Sequence, residues 1–144
     1  GDVYKRQILY FLNKKYIKDI DIFAKSFRRR EGLSKNFKFK NFTNKPTLLK
    51  KKYDLIINAS NAGMSHGNKI NRNILRLVKK TKGVIDIVYN PLETDLLKEA
   101  KKHNIKSIGG LIMLVEQAKP SFEIWSKKDI EIDDKIYRSL ISKI

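Results

Sequence analysis

Short runs of apolar, often β-branched residues alternate along the chain with longer stretches whose apolar positions recur every three or four residues. The runs IDIFA (residues 20–24), LIINA (55–59) and VIDIVY (84–89), and the shorter 105–108, read as strands. The run 55–59 is continuously apolar and reads as a buried central strand, and 84–89 reads as another buried strand. Residues 71–80 place Ile74, Leu75, Leu77 and Val78 inward on an amphipathic helix, and Thr94 reads as the N-cap of a helix over 94–103. Residues 8–15 read as the end of a helix, apolar first and basic last, which suits the negative end of the helix dipole. Gly109 and Gly110 open a long apolar helix over 111–125, with Phe122 and Trp125 as core. Pro120 should kink or restart it, because proline has no N–H for the i−4 bond. Asp133 or Asp134 caps a closing helix that carries Ile136, Leu140, Ile141 and Ile144 near one face. Weaker signals are a helical turn within 28–36, near-strand spacing of Phe37, Phe39 and Phe42, and a short helix or turn over 46–52.

Strands alternating with helices argue an α/β fold with a parallel sheet, and 144 residues without an internal repeat are the size of one domain. In such sheets ligands sit beyond the carboxyl ends of the strands, where the motifs below fall. Residues 1–7 (GDVYKRQ) carry no apolar period and read as a scar of assembly, cloning or expression, leaving 8–144 as the folded unit.

Charge changes the picture only a little. The net +17 raises the question of a nucleic-acid partner. The lysines, however, are spread along the whole chain instead of gathered on one face, so a basic nucleic-acid-binding module is kept only as the alternative of a different class. No apolar run approaches the roughly 20 residues that span a bilayer, and the N-terminus has no hydrophobic signal segment, so a cytoplasmic location is expected. With no cysteine and no metal-ligand spacing, neither disulfides nor a metal site is expected. His66 follows Gly-Met-Ser in a loop and His103 ends a helix, and both read as exposed side chains.

Three motifs carry chemistry. DLIINASNAGM (54–64) delivers Asn58 and Ala59 to a strand end, followed by the small hydroxyl of Ser60 and a flexible Gly63. DIVYNPLETDLL (86–97) holds Tyr89 at the next strand end, with Pro91 stiffening the turn; Asp86 reads as a structural hydrogen-bond acceptor. GGLIMLVEQAKPSFEIW (109–125) puts Met113 and Gln117 four apart on one helix face. Further upstream, Ala24, Lys25 and Ser26 are followed by Arg28, Arg29 and Arg30, three of the chain's seven arginines, with no acid before Glu31. Such a basic run after a strand suits a 2′-phosphate, where an acidic residue would favour the ribose hydroxyl of NAD.

In order and spacing, these motifs resemble those of the shikimate dehydrogenases, over nearly all of 8–125. The resemblance implies an incomplete Rossmann-like, doubly wound parallel sheet with C-terminal helices. It also implies NADP as cofactor, with Lys25, Ser26, Arg28, Asn58, Ala59, Ser60, Gly110 and Met113 along it. Tyr89 and Gln117 would lie beside the substrate. The family reaction is NADPH-dependent reduction of 3-dehydroshikimate to shikimate, in aromatic amino acid biosynthesis through chorismate. An NAD-dependent quinate/shikimate dehydrogenase is the nearest alternative, and a homodimer stays open. Gly109 departs from the aspartate usual in the family. The family's first strand and Gly-x-Gly-Gly loop would precede residue 8, where GDVYKRQ stands, and its substrate domain with the catalytic Lys–Asp pair matches nothing here. No catalytic residue is therefore assigned, and the 144 residues alone are expected to be inactive and to bind cofactor poorly.

Overall fold

The computed structural model describes residues 2–17, 19–24, 26, 30–45, 49–50 and 52–143. Among the described residues the elements follow one another as α1 (Asp2–Lys14), β1 (Asp21–Phe23), α2 (Arg30–Ser34), β2 (Asn41–Thr43), β3 (Leu55–Asn58), α3 (Arg72–Val78), β4 (Gly83–Asp86), α4 (Asp95–Lys102), β5 (Lys106–Ile108), α5 (Gly110–Ser126) and α6 (Asp134–Ile141). All strand pairings are parallel, as expected when helices intervene between strands. They form two sheets: β1 with β2, and β3, β4 and β5 in that order.

The core lies where α3 and α4 cover the three-stranded sheet. Val78, Val84, Leu96 and Ala100 are fully buried there, with Ile70 and Leu97 around them. Local chemistry sets the helix starts. The Asn71 side chain accepts from the Asn73 N–H, the Thr94 hydroxyl from Leu97, and the Asp133 carboxylate from Ile136, each satisfying a first-turn N–H that has no partner inside the helix. Thr81, also buried, donates its hydroxyl to the carbonyls of Asp54 and Gly83 and so ties the start of β3 to that of β4.

Several expectations need correction. The run 55–59 does not make a central strand: β3 pairs with β4 alone among the described residues, Leu55 is 42% exposed, and β4 is the strand between two neighbours. Helix α1 begins at Asp2 and takes in residues 2–7, which lack an apolar period yet contain no helix breaker. Phe37 and Phe39 precede β2 instead of joining it, although the Phe39 and Phe42 rings still meet at 6.0 Å. Helix α5 runs through Pro120 without ending. Both Pro120 and Glu116, whose carbonyl loses its N–H partner, are exposed, so water can satisfy that carbonyl. Phe122 and Trp125 are 49% and 83% exposed and so are not core; the buried residues of α5 are Gly110, Leu111 and Val115, all in its first half. The helix or turn expected over 46–52 falls largely outside the described residues.

Candidate functional site

The carboxyl ends of β3 and β4 and the first turn of α5 meet at one end of the three-stranded sheet. Asn58, the last residue of β3, stands opposite Asp86, the last of β4. The backbone continues the junction: the Ile87 N–H donates to the Asn58 carbonyl at 3.1 Å, and the Gly110 N–H to the Val88 carbonyl at 3.1 Å. A Cβ on Gly110 would collide with the Ile87 carbonyl oxygen, so this close approach of helix to strand end requires glycine.

Side chains lock the same region. Asn58 donates its amide hydrogens to the Asp86 carboxylate and the Ala62 carbonyl, both at 2.9 Å. Its amide oxygen accepts from the Ser60 hydroxyl at 2.7 Å and the Ser60 N–H at 3.2 Å. That uses every hydrogen-bonding position an asparagine amide has. The Ser60 oxygen in turn accepts from the Ala62 N–H at 3.2 Å. Asp86, 1% exposed, also accepts from the Thr94 hydroxyl at 2.6 Å and the Val88 N–H at 3.1 Å. Burial pushes its carboxyl above the usual range, against the three hydrogen bonds that favour the charge. Further out, Gly63 adopts φ +92°, a conformation costly for any residue with a Cβ, and the Ser65 hydroxyl donates to the Asn90 side chain at 3.0 Å.

These contacts bring Asn58, Ala59, Ser60, Tyr89, Gly110 and Met113 into one neighbourhood. Ala59 and Ser60 are half-buried, Tyr89 is 44% exposed beyond β4, and Met113 is half-buried one turn into α5. Gln117, exposed, lies a further turn along α5. Ser26 lies three residues past the end of β1, which is part of the other sheet. Lys25 and Arg28 lie outside the described residues. The side chains of Asn58 and Ser60 are spent on shaping their own loop, so what they can offer a ligand is the placement of the backbone. Sequence reasoning missed the role of Thr94 beyond capping: its hydroxyl both caps α4 and anchors Asp86. The available signal was Asp86 itself, an acid inside an apolar strand run that must find donors.

His103 caps α4 half-buried, with Nε2 3.0 Å from Glu99, and so is not the exposed side chain expected; His66 is exposed. A shallow cavity of about 470 Å³ opens beside α4, β5 and the start of α5, lined by Leu92, Leu97, Leu111 and Ile112; it adjoins the region above along Gly109 and the first turn of α5. Among the described residues, no three His, Asp or Glu side chains gather to hold a metal ion, and no helix is long and apolar enough to cross a membrane.

No family model matches the chain. Individual relatives do. A shikimate dehydrogenase (NADP(+)) of Methanococcus maripaludis is 46% identical over 95 residues, 64% of this chain and 33% of that protein. One of Bartonella quintana is 33% identical over 147 residues, 96% of this chain and 48% of that protein. Among solved structures, a chorismate mutase/shikimate 5-dehydrogenase fusion protein from Clostridium acetobutylicum superposes with a TM-score of 0.68 at 32% identity, covering 95% of this chain and 49% of that one. The chain spans about half the length of these relatives or less, and over that span it is a shikimate dehydrogenase homologue.

Proposed function

We propose that the chain is the nucleotide-binding part of an NADP-dependent shikimate dehydrogenase, acting in the reduction of 3-dehydroshikimate to shikimate. The observation that carries this reading is the meeting of three motifs at one sheet end: the Asn58–Ser60 loop, Tyr89, and the first turn of α5 with Gly110 and Met113. The residues there suit the nicotinamide end of the cofactor. Ala59 and Ser60 are small, and α5 starts without a side-chain cap, leaving first-turn N–H groups available. For the 2′-phosphate end, Lys25, Ser26 and Arg28 remain the proposed partners. In support, Arg30 lines a cavity of about 700 Å³ together with Lys40 and Lys45.

When bound, NADPH supplies the hydride. This chain's share is orientation. The Asn58–Asp86–Thr94 network fixes the two strand-end loops, Met113 presents a half-buried apolar surface, and Tyr89 and Gln117 offer hydrogen bonds to a substrate hydroxyl. Proton transfer falls to groups outside these 144 residues, so the chain by itself orients cofactor without turning it over.

The test is a titration of the isotopically labelled chain with NADP+ and with NAD+, followed by amide chemical shifts. Shifts at Ala59, Ser60, Tyr89 and Met113 that are larger for NADP+ at equal concentration are the expected result. Equal responses to the two dinucleotides would sink the cofactor choice, and shifts confined to other surfaces would sink the site.

A further inference from the structure

Net charge is placed unevenly along the chain. Residues 1–85 carry 22 lysines and arginines against 5 acids, and residues 86–144 carry 10 against 10. Lysines do run along the whole chain, but the acids that would neutralise them gather in the second stretch, so all of the net +17 belongs to the first. An asymmetry of this size points to a polyanionic partner. Helix α1 and strands β1 and β2 all lie within the charged stretch.

Helix α1 turns Leu9 inward, where it is buried, and Gln7, Tyr10 and Lys14 outward, where they are exposed. Tyr10 and Lys14 are four residues apart and share that outward face. Beside them the Lys15 ammonium sits 5.8 Å from the centre of the exposed Phe11 ring. The helix then closes with the Tyr16 N–H on the Asn13 carbonyl at 2.9 Å and the Ile17 N–H on the Leu12 carbonyl at 3.0 Å. This closure puts Tyr16 at φ +59°, where glycine is usual and a bulky side chain is rare. Tyr16 is 85% exposed, so burial does not offset the cost of that backbone. A ring held out in solvent at such a cost is open for a ligand to cover.

Asn13 joins this helix end to the segment before β2. The Lys38 N–H donates to its side chain at 2.6 Å, and its amide donates to the Lys38 carbonyl at 2.9 Å. Two residues on, the Lys40 N–H donates to the Ile20 carbonyl at 2.7 Å, so Lys38 and Lys40, both exposed, stand at the amino end of β1. The acids nearby are engaged. Asp19 pairs with Lys50 and, at 3.7 Å, with Lys40, and Asp21 accepts from the Tyr53 hydroxyl and the Asn41 amide. Ser26, proposed for the cofactor, follows the opposite end of β1.

We propose that the end of α1 and the 38–40 segment form a binding surface for single-stranded nucleic acid, separate from the cofactor site. Lys14, Lys15, Lys38 and Lys40 meet the phosphates, and Tyr16 and Tyr10 stack on unpaired bases. The exposed rings favour a single strand over a duplex, whose bases present no open face. A membrane surface would call for an outward apolar stripe, and α1 instead turns its aliphatic Leu9 inward and Gln7, Tyr10 and Lys14 outward.

The test is fluorescence anisotropy of a labelled mixed-sequence RNA of about 12 nucleotides, titrated with the 144-residue chain. Saturable binding is expected at physiological salt, with a dissociation constant on the order of 10 μM. Four phosphate contacts predict that log K falls against log salt with a slope of about −3. Tyr16→Gly should weaken binding about ten-fold while the variant melts no lower than wild type, because glycine suits that φ. Lys38→Gln should make the salt slope shallower by about 0.7. Lys127→Gln with Lys128→Gln, in the neutral stretch, should change nothing. The proposal is overturned by absence of binding at physiological salt, or by binding that Tyr16→Gly leaves intact. A duplex of equal length binding as tightly as the single strand overturns it too, and that comparison on the wild-type chain decides even if a variant does not fold. Tighter binding to phosphatidylglycerol vesicles than to the RNA would assign the surface to a membrane instead.

Discussion

Replacing Thr94 by valine keeps the shape of the side chain and deletes its hydroxyl. That hydroxyl donates to buried Asp86 at 2.6 Å and accepts from the Leu97 N–H at 3.3 Å. Loss of an N-cap acceptor costs about 1 kcal/mol. Leaving a buried carboxylate oxygen without its donor costs about 2 kcal/mol more. Thr94→Val should therefore destabilise the three-stranded half by roughly 3 kcal/mol, which speeds exchange of its most protected amides on the order of 100-fold. Thr94→Ser keeps both hydrogen bonds and loses one methyl, so it should cost about 1 kcal/mol. Native-state hydrogen exchange at Val84 and Leu96, both fully buried, measures the difference directly. Equal destabilisation by the two variants would mean that methyl packing, not the hydroxyl, holds this junction, and the reasoning would be wrong.

Three further outcomes can be checked. Burial raises the folded carboxyl of Asp86 above its ordinary 3.8, so its contribution to stability is full below that pH and is lost as pH rises through the folded value; paired denaturation of wild type and Asp86→Asn should show wild type losing ground as pH rises, and the opposite slope would put the hydrogen bonds above burial. The Tyr53 phenol, half-buried and bonded to Asp21, is pushed up from 10.0 to about 12, so the stability it contributes holds below pH 10 and is lost toward 12; ultraviolet titration should find one late phenol that Tyr53→Phe removes. Gly110→Ala would drive a methyl into the backbone of Ile87 and Val88 and should cost about 3 kcal/mol or prevent folding; a melting temperature equal to wild type would show that α5 can draw back from β4.

Much of the local structure was legible because local rules decide it. The apolar runs became β1, β3 and β4, and Thr94, with Asp133 of the two aspartates considered, caps its helix as side-chain chemistry dictates. What was missed depends on neighbours. The run LIINA has the composition of a buried strand, but strand order leaves β3 on an edge, and order is not written in a strand's own residues. Phe122 and Trp125 look like core by composition, yet both stand largely exposed on the far half of α5. At the site, the motif spacing named the residues that meet. It could not show that Asn58 spends its whole amide on Asp86, Ala62 and Ser60, since the bond to Asp86 joins segments 28 residues apart. Lys25 and Arg28, on which the basic-run reading leaned, lie outside the described residues.

The division into two sheets bears on how the chain loses its structure. One sheet closes within residues 21–43 and the other within 55–108, and no ladder hydrogen bond is shared between them. Among the described residues, the Tyr53–Asp21 and Lys50–Asp19 bonds link the two. Cooperativity requires that losing one part withdraw support from the rest, and little support crosses here. Heating should give two separate transitions, the smaller half melting first, so that one midpoint describes neither.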